Sequence, residues 1–300
     1  MRAEWKRPFV RAVIVTGGIG LVFFLLIFAA AFLLGNWEHF GGPKVALLEV
    51  NGIISEPEEI IEQIRHHMEN RTVQAFVIRI NSPGGGVAAS QEIYQEIKKI
   101  RQVHSKPVVA SLSTVGASGG YYIAAAADKI VANPGSITGS IGVIIHIPNV
   151  SDLLQKVGIR SVVIKSGPYK DMGSTTRDLS REEQQLLQRL IDDIHDQFIQ
   201  AVVEGRHLSR QQVEKVADGR ILTGRQALEM GLVDQLGNLE DAIDTAAKMG
   251  GIPGKPRIVQ VKPREFSLLR LLLGNAATGW PQKLLGGEGG QYSVDYLWTW

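Results

Sequence analysis

Blocks of apolar and polar residues follow one another along the first half of the chain in a regular order. Apolar runs of strand length alternate with amphipathic segments of helical length. In chain order these blocks are residues 45–50, 56–68, 72–80, 88–101 and 108–112. Strands that alternate with helices are typical of a mainly parallel sheet with right-handed crossovers. The pattern therefore predicts an α/β fold.

The second half continues the pattern with longer helices. Further strands are predicted at 129–132, 143–147, 160–165 and 258–261, and helices at 151–157, 180–204 and 238–249. Residues 180–183 (Ser-Arg-Glu-Glu) form a capping box, which predicts where the long helix begins. The apolar residues of this helix predict one buried stripe, formed by Leu187, Leu190, Ile191, Ile194, Phe198 and Val202.

The amino terminus has the pattern of a membrane anchor. Residues 12–34 carry no charge and are long enough to cross a bilayer, which takes about 20 apolar residues. Residues 1–11 are basic and are predicted to stay in the cytoplasm, so that the rest of the chain lies outside. A cleaved signal peptide is the alternative, but its apolar region is usually shorter. We therefore expect one uncleaved transmembrane helix before the globular fold.

This interpretation divides the chain into five parts. They are the basic flank 1–11, the anchor 12–34, a linker 35–44, a globular domain 45–264 and an apolar and aromatic tail 265–300. The apolar run in the tail is too short to span a membrane.

Composition and charge exclude several classes of function. The net charge is +2, with no basic stripe, so nucleic-acid binding is not expected. The chain has no cysteine, which excludes disulfides and thiol catalysis. His66 and His67 lack the spacing of a zinc site, and no phosphate-binding loop is present. We predict neither a metal nor a cofactor.

Residues 116–120 (Gly-Ala-Ser-Gly-Gly) follow a predicted buried strand and precede an alanine-rich helix. A serine at such a turn can be a nucleophile, because the flanking glycines allow a tight turn and the helix amino terminus supplies free N–H groups. Small residues at a strand–helix junction can also serve packing alone. Ser118 is thus a candidate nucleophile.

Acyl transfer also needs two donors for the oxyanion. The N–H of Gly119 follows the candidate nucleophile directly. A second glycine motif, residues 82–86 (Ser-Pro-Gly-Gly-Gly), ends the neighbouring predicted strand, and strand ends of a parallel sheet face one crevice. We predict that Gly85 supplies the second N–H.

The residues alone leave the general base open between two side chains. His146 would need an acid from Asp192, Asp193 or Asp196, which fit the polar face of the long helix better. Lys170 lies in a turn rich in glycine and proline. A free lysine is almost fully protonated at neutral pH, so this side chain would have to be desolvated to act as a base.

Four motifs in order resemble the signal peptide peptidase A family, whose members are membrane-anchored serine peptidases with a Ser-Lys dyad on a ClpP/crotonase-like fold. They are residues 81–86, 117–122, 138–143 and 166–174. The resemblance implies that Ser118 is the nucleophile and Lys170 its general base. It assigns Gly85 and Gly119 to the oxyanion hole, and Ser140 to orienting the lysine amine.

The resemblance also implies substrates and partners. The short, single-domain form of the family assembles as ring-shaped homo-oligomers in which neighbouring subunits help to build the catalytic site. The expected substrates are cleaved signal peptides or other apolar peptides. The expected location is the cell membrane, with a single pass and lipid contact through the anchor. The apolar tail is hypothesised to enter an active-site groove as a substrate mimic.

Three other functions remain to be weighed. A peptidase for one membrane-protein partner, like the stomatin-associated relatives, often carries further membrane spans. A non-catalytic crotonase-like binding scaffold would not need Ser118, Lys170 and both glycine motifs. An α/β-hydrolase esterase would need an aspartate and then a histidine after the nucleophile, and no obvious pair follows Ser118 in that order.

Overall fold

A computed structural model of the chain describes residue 18, residues 21–28 and 42–260, and the backbone of residues 295–297. The strands in this part are β1 (Lys44–Asn51), β2 (Val73–Ser82), β3 (Gly84–Gly86), β4 (Val108–Ala117), β5 (Lys129–Ala132), β6 (Ile137–Gly139), β7 (Ile221–Thr223), β8 (Gln235–Leu236), β9 (Arg257–Val259) and β10 (Asp295–Leu297). The helices are α1 (Glu58–Glu69), α2 (Val87–Gln102), α3 (Gly119–Ala125), α4 (Ser151–Lys156), α5 (Arg181–Arg206), α6 (Arg210–Glu214), α7 (Gly224–Glu229) and α8 (Leu239–Met249).

Most of the strands form one eight-stranded sheet in the order β7-β6-β4-β2-β1-β9, with β5 and then β8 beside β4. All pairs in it are parallel except β6 with β7. The predicted α/β fold with a mainly parallel sheet is therefore confirmed, and the arrangement fits a ClpP-like fold.

Helices cover both faces of the sheet because its central strands are apolar on both sides. On β2, Phe76 and Ile78 pack into the larger core with α2, α3 and the second half of α5. The alternate residues Ala75 and Val77 face α8. This alternation of side chains fixes the register of the central strands, and the carboxyl ends of β2 and β4 therefore lie side by side, with Ser82 opposite Gly116.

Two of the strand predictions are wrong. Residues 160–165 form neither helix nor strand, and residues 143–147 contain only a single bridge, at Ile144. The apolar side chains of the first segment stay exposed, Ile164 to 98% of its surface. An apolar run becomes a strand only when a sheet edge is free to pair with it, and no such edge pairs with these residues within the described part of the chain.

The buried stripe of the long helix is confirmed only in part. Phe198 and Val202 are fully buried, whereas Leu190 keeps 43% of its surface exposed. The second half of α5 lies against α3, where the rings of Tyr122 and Phe198 are 5.0 Å apart between centroids. The first half extends beyond the core and leaves part of its apolar face uncovered.

The predicted anchor falls mostly outside the described residues. Residues 21–28 are helical, while the rest of 12–34, apart from Gly18, lies outside them, as do the flank 1–11 and much of the linker and tail. In the part of the chain that the structure describes, no helix is long and apolar enough to cross a membrane.

Candidate active site

Ser118 lies in the sharp turn between β4 and α3. Its backbone has a φ of 53° and a ψ of −121°, which is strained for a residue with a Cβ. Two hydrogen bonds hold the turn. The N–H of Ser118 donates to the carbonyl of Gly139 over 2.9 Å, and its carbonyl accepts from the N–H of Tyr122 over 2.8 Å. Only 1% of the residue is exposed, so the nucleophile motif forms a rigid, almost enclosed elbow.

The two glycine motifs pack against each other. A Cβ on Gly119 would lie 2.6 Å from the Oγ of Ser90 and 3.3 Å from the backbone nitrogen of Gly85. A Cβ on Gly120 would lie 3.0 Å from the carbonyl oxygen of Ser82. Backbone approaches this close need residues without side chains. The structure thus brings together Gly85, Gly119 and Ser118, as the sequence predicts.

Strand β3 pairs along one edge with the segment around Ile54. The N–H of Ile54 donates to the carbonyl of Gly84 over 2.9 Å, and the N–H of Gly86 donates to the carbonyl of Ile54 over 2.7 Å. In a strand the N–H and C=O of one residue point to the same edge, and those of the next residue point to the opposite edge. Because Gly84 and Gly86 bond to Ile54, the N–H and C=O of Gly85 face away from Ile54. Gly85 has a φ of 157°, and a Cβ there would lie 2.2 Å from the carbonyl oxygen of Ile54.

The opposite edge of β3 carries a segment of the carboxyl-terminal tail. The backbone of β10 runs antiparallel to β3, with Tyr296 opposite Gly85. The edge presented by Gly85 therefore accepts an extended peptide, as the hypothesis of a substrate-mimicking tail requires.

Ser140 lies one residue beyond the carbonyl that binds Ser118. It is buried, has a φ of 51°, and donates its N–H to the carbonyl of Arg220 over 2.8 Å. The side chain of Thr138 donates to the carbonyl of Gly116 over 2.7 Å and so ties β6 to the elbow strand. The third motif of the resemblance thus packs directly beside the nucleophile turn.

Lys170 lies in a turn at the surface and belongs to neither a strand nor a helix. Its N–H donates to the carbonyl of Gly167 over 3.3 Å. Its side chain is exposed and has no hydrogen-bond or ion-pair partner among the described residues. The described part of a single chain therefore does not join Lys170 to Ser118 by a hydrogen bond.

The alternative base, His146, is exposed in a stretch without a strand. The carboxylates proposed to orient it are engaged elsewhere on α5 and α6. Asp192 accepts from Gln188 over 2.7 Å, Asp193 accepts from Gln197 over 2.9 Å, and Asp196 pairs with Arg210. No hydrogen bond links His146 to these aspartates in the described ranges. Nor does any group of three His, Asp or Glu side chains gather there as metal ligands.

Sequence reasoning did not identify two residues that contact the predicted site residues or their turns. The hydroxyl of Ser90 is fully buried against Gly119 and has no hydrogen-bond partner among the described residues. Arg177 joins the lysine turn to the start of α5 through ion pairs. Neither residue stands out by periodicity or motif, because the contacts of both depend on where the folded backbone places their neighbours.

Comparison with known proteins assigns the chain to a family. Residues 100–252 match Peptidase family S49. A "Putative protease" of Synechocystis sp. (strain ATCC 27184 / PCC 6803 / Kazusa) is 46% identical over 78% of this chain and 84% of its own length. This chain belongs to peptidase family S49. It is therefore a serine peptidase, and the assignment favours that function over a binding scaffold.

Other relatives of this S49 peptidase carry more specific names. The "Putative signal peptide peptidase SppA" of Enterococcus faecium is 36% identical over 81% of this chain and 74% of its own length. The "Serine protease SPPA, chloroplastic" of Arabidopsis thaliana is 35% identical over 80% of this chain and 37% of its own length. The expected resemblance to the signal peptide peptidase A family is confirmed.

Replacing Gly85 by alanine tests the close contact between β3 and Ile54. The new Cβ would overlap a backbone carbonyl, so we expect the free energy of unfolding to fall by about 1–3 kcal/mol, as for other overpacked sites, and peptidase activity to be lost. Urea denaturation and peptide hydrolysis measure the two effects.

Gly251→Ala is the matched control for this variant. Gly251 also has a positive φ, of 65°, but a Cβ there would meet nothing within 4 Å. We expect a loss of about 1 kcal/mol from backbone strain alone and full activity. Wild-type activity in Gly85→Ala would contradict the assignment of this edge to the site.

Proposed function

We propose that this serine peptidase hydrolyses apolar peptides, and cleaved signal peptides first of all, with Ser118 as nucleophile and Lys170 as general base. The observation that carries the proposal is the pairing of an extended segment along β3, with Tyr296 opposite Gly85 and the Ser118 elbow packed beside it. A peptide bound along this edge would run past the nucleophile.

The proposed reaction follows from the roles of these groups. The amine of Lys170 takes the proton of the Ser118 hydroxyl as Oγ attacks the peptide carbonyl carbon. The N–H groups of Gly85 and Gly119 stabilise the oxygen that becomes negative. Lys170 then gives the proton to the leaving amine, which breaks the C–N bond and leaves an acyl enzyme. The same amine takes a proton from water as the water oxygen attacks the ester carbon. The C–Oγ bond then breaks, and the lysine returns the proton to Oγ, which restores Ser118 and releases the acid.

Strand addition suits a peptidase that degrades many sequences. The substrate backbone supplies the hydrogen bonds to β3, and side chains only have to fit the pockets on either side. Names of relatives that include signal peptide peptidase and serine protease support this substrate class. We further propose that residues 12–34 anchor the chain and hold the domain on the extracytoplasmic side, near the bilayer where such peptides accumulate.

We also propose that the chain works as a ring-shaped homo-oligomer in which Lys170 of one subunit serves Ser118 of the next. Three features of the chain support this. Lys170 is exposed and has no side-chain partner among the described residues. Apolar residues shortly before it in the chain are uncovered, among them Val162 and Ile164. The first half of α5 likewise keeps Leu190 exposed. Uncovered apolar surface of this kind is typical of protein interfaces.

The dyad predicts the effect of three substitutions in the full-length protein. Ser118→Ala and Lys170→Ala should each abolish hydrolysis of an apolar peptide, because one removes the nucleophile and the other its base. His146→Ala should retain most activity. In the wild type the rate should rise with pH as the lysine loses its proton. Loss of activity in the His146 variant alone, or a flat pH profile, would overturn the dyad.

The assembly predicts complementation between inactive variants. Ser118→Ala and Lys170→Ala, co-expressed in one cell, should form mixed rings in which some sites combine an intact serine with an intact lysine. Activity of the co-purified mixture, absent from either variant alone, measures this. A mixture as inactive as its components, although shown by differently tagged subunits to be co-assembled, would refute a base supplied by the neighbour.

The pairing of β10 with β3 predicts processing of the tail. In the wild type, mass spectrometry of the intact chain should detect molecules shortened within residues 265–300, since the tail lies where a substrate is proposed to bind. Ser118→Ala should keep its full length. The same shortened species in both proteins would show that another protease trims the tail.

A further inference from the structure

Arg177 lies between two carboxylates and binds both through its planar guanidinium. Its Nη1 and Nη2 donate to the two oxygens of Glu183 over 2.8 and 2.6 Å. Its Nε and Nη2 donate to the two oxygens of Asp171 over 3.0 and 2.8 Å. Such paired, two-pronged contacts fix orientation as well as distance.

These contacts connect the lysine turn to a helix. Asp171 is the residue after Lys170, and Glu183 lies in the first turn of α5, where it also accepts the N–H of Ser180 over 2.8 Å in the capping box. On its other side, Asp171 accepts from Lys165 over 2.5 Å. We name Lys165, Asp171, Arg177 and Glu183 the arginine clamp. Its charges alternate in sign and sum to zero.

The carboxylates of the clamp are well shielded. Only 13% of the Asp171 side chain and 4% of the Glu183 side chain are exposed. Hydrogen bonds from Arg177, and then from Lys165, hold the pKa of Asp171 well below its usual range. Those from Arg177, and then from the Ser180 backbone, lower the pKa of Glu183 to about 2.

A carboxyl group whose pKa is lower in the folded than in the unfolded state stabilises the fold at every pH above its pKa in the unfolded state. That stabilisation is lost as the pH falls through its pKa in the folded state. The stabilisation is therefore complete above about pH 5 and is lost in strong acid. At neutral and alkaline pH both carboxylates of the clamp are therefore ionised.

No regular element holds Lys170 itself in place. The turn has three backbone bonds, from Lys170 to Gly167, from Met172 to Tyr169 and from Ser174 to Asp171, and residues 159–165 before it form neither helix nor strand. From the contacts of the clamp we propose that Arg177 is a positioning residue. It fixes the turn that presents Lys170, and its charge offsets the two carboxylates that it binds, one of them on the residue next to Lys170.

The inference rests on the proposed function of Lys170. The charged groups facing the turn are Lys165 just before it, Asp171 on it, Arg177 after it and Glu183 on α5. The carboxylate of Asp178 accepts from Asn149 over 2.6 Å. Without Arg177, Asp171 would keep only Lys165 as a cationic partner and Glu183 would keep none among the described residues. Negative charge near a lysine favours its protonated form. Among the described residues Arg177 has no hydrogen bond or ion pair to β3, so substrate binding should change little.

The test is Arg177→Gln in the full-length protein, assayed with an apolar peptide across pH. We expect kcat to fall roughly 10- to 100-fold, as for other misplaced catalytic groups, with KM little changed and the rise in rate moved to higher pH. Arg177→Lys should recover the pH profile more than the rate, because it restores the charge but not the two-pronged geometry.

Two further variants separate this role from general stability. Arg210→Gln is the matched control, because Arg210 also joins two carboxylates, those of Asp196 and Glu214, but lies on α6; its activity and pH profile should stay unchanged. Asp171→Asn removes one negative charge from the clamp instead of the positive one. Its rise in rate should therefore move to lower pH, opposite to Arg177→Gln, even if both variants lose stability.

The outcomes are distinguishable. A wild-type kcat in Arg177→Gln, or pH shifts of the same sign in Arg177→Gln and Asp171→Asn, would overturn the inference. Lower activity with an unchanged pH profile would show that Arg177 has only a structural role, and this result would also overturn the inference. If Ser118→Ala or Lys170→Ala remained active, the proposed function itself would fail, whatever Arg177 does.

Discussion

The strained backbone of Ser118 is held by a hydrogen bond to Gly139 from one side and by the first turn of α3 from the other. The sharp turn at Ser118 limits which residues can lie next to it. Because β4 and α3 meet so sharply, Gly119 and Gly120 come within contact distance of Gly85 and of β2, and side chains there would overlap backbone atoms or the Ser90 hydroxyl. Apolar packing of the sheet and α3 stabilises the fold enough to maintain the strain.

Strand β3 extends this constraint into a binding edge. One edge is closed by the segment around Ile54, and the other presents the peptide group of Gly85 to whatever lies beside it. An open strand edge is normally a risk, since it can pair with other chains. Here the tail strand β10 covers it, and a peptidase that binds substrates by strand addition would need that same edge free.

The two halves of the proposed dyad differ in how the chain holds them. Ser118 is fixed by a sheet, a helix and close backbone contacts inside the core. Lys170 lies on a surface turn whose geometry depends on ion pairs, with exposed apolar residues nearby. A buried nucleophile and an exposed, separately supported base are what the proposed site between subunits requires.

The amino-acid sequence by itself determined the α/β fold, its central strands and principal helices, and the glycine motifs around Ser118. These follow from apolar periodicity, capping residues and glycine, all of which act within a few residues of one another. Only the tertiary structure decided that residues 160–165 would not become a strand, that β10 would pair with β3, and that Arg177 would join Asp171 to Glu183. Periodicity tells which side chains avoid water. A strand edge or an ion pair depends instead on where the folded backbone places the partner, whether that partner is far along the chain, as β10 is from β3, or six residues away, as Asp171 and Glu183 are from Arg177.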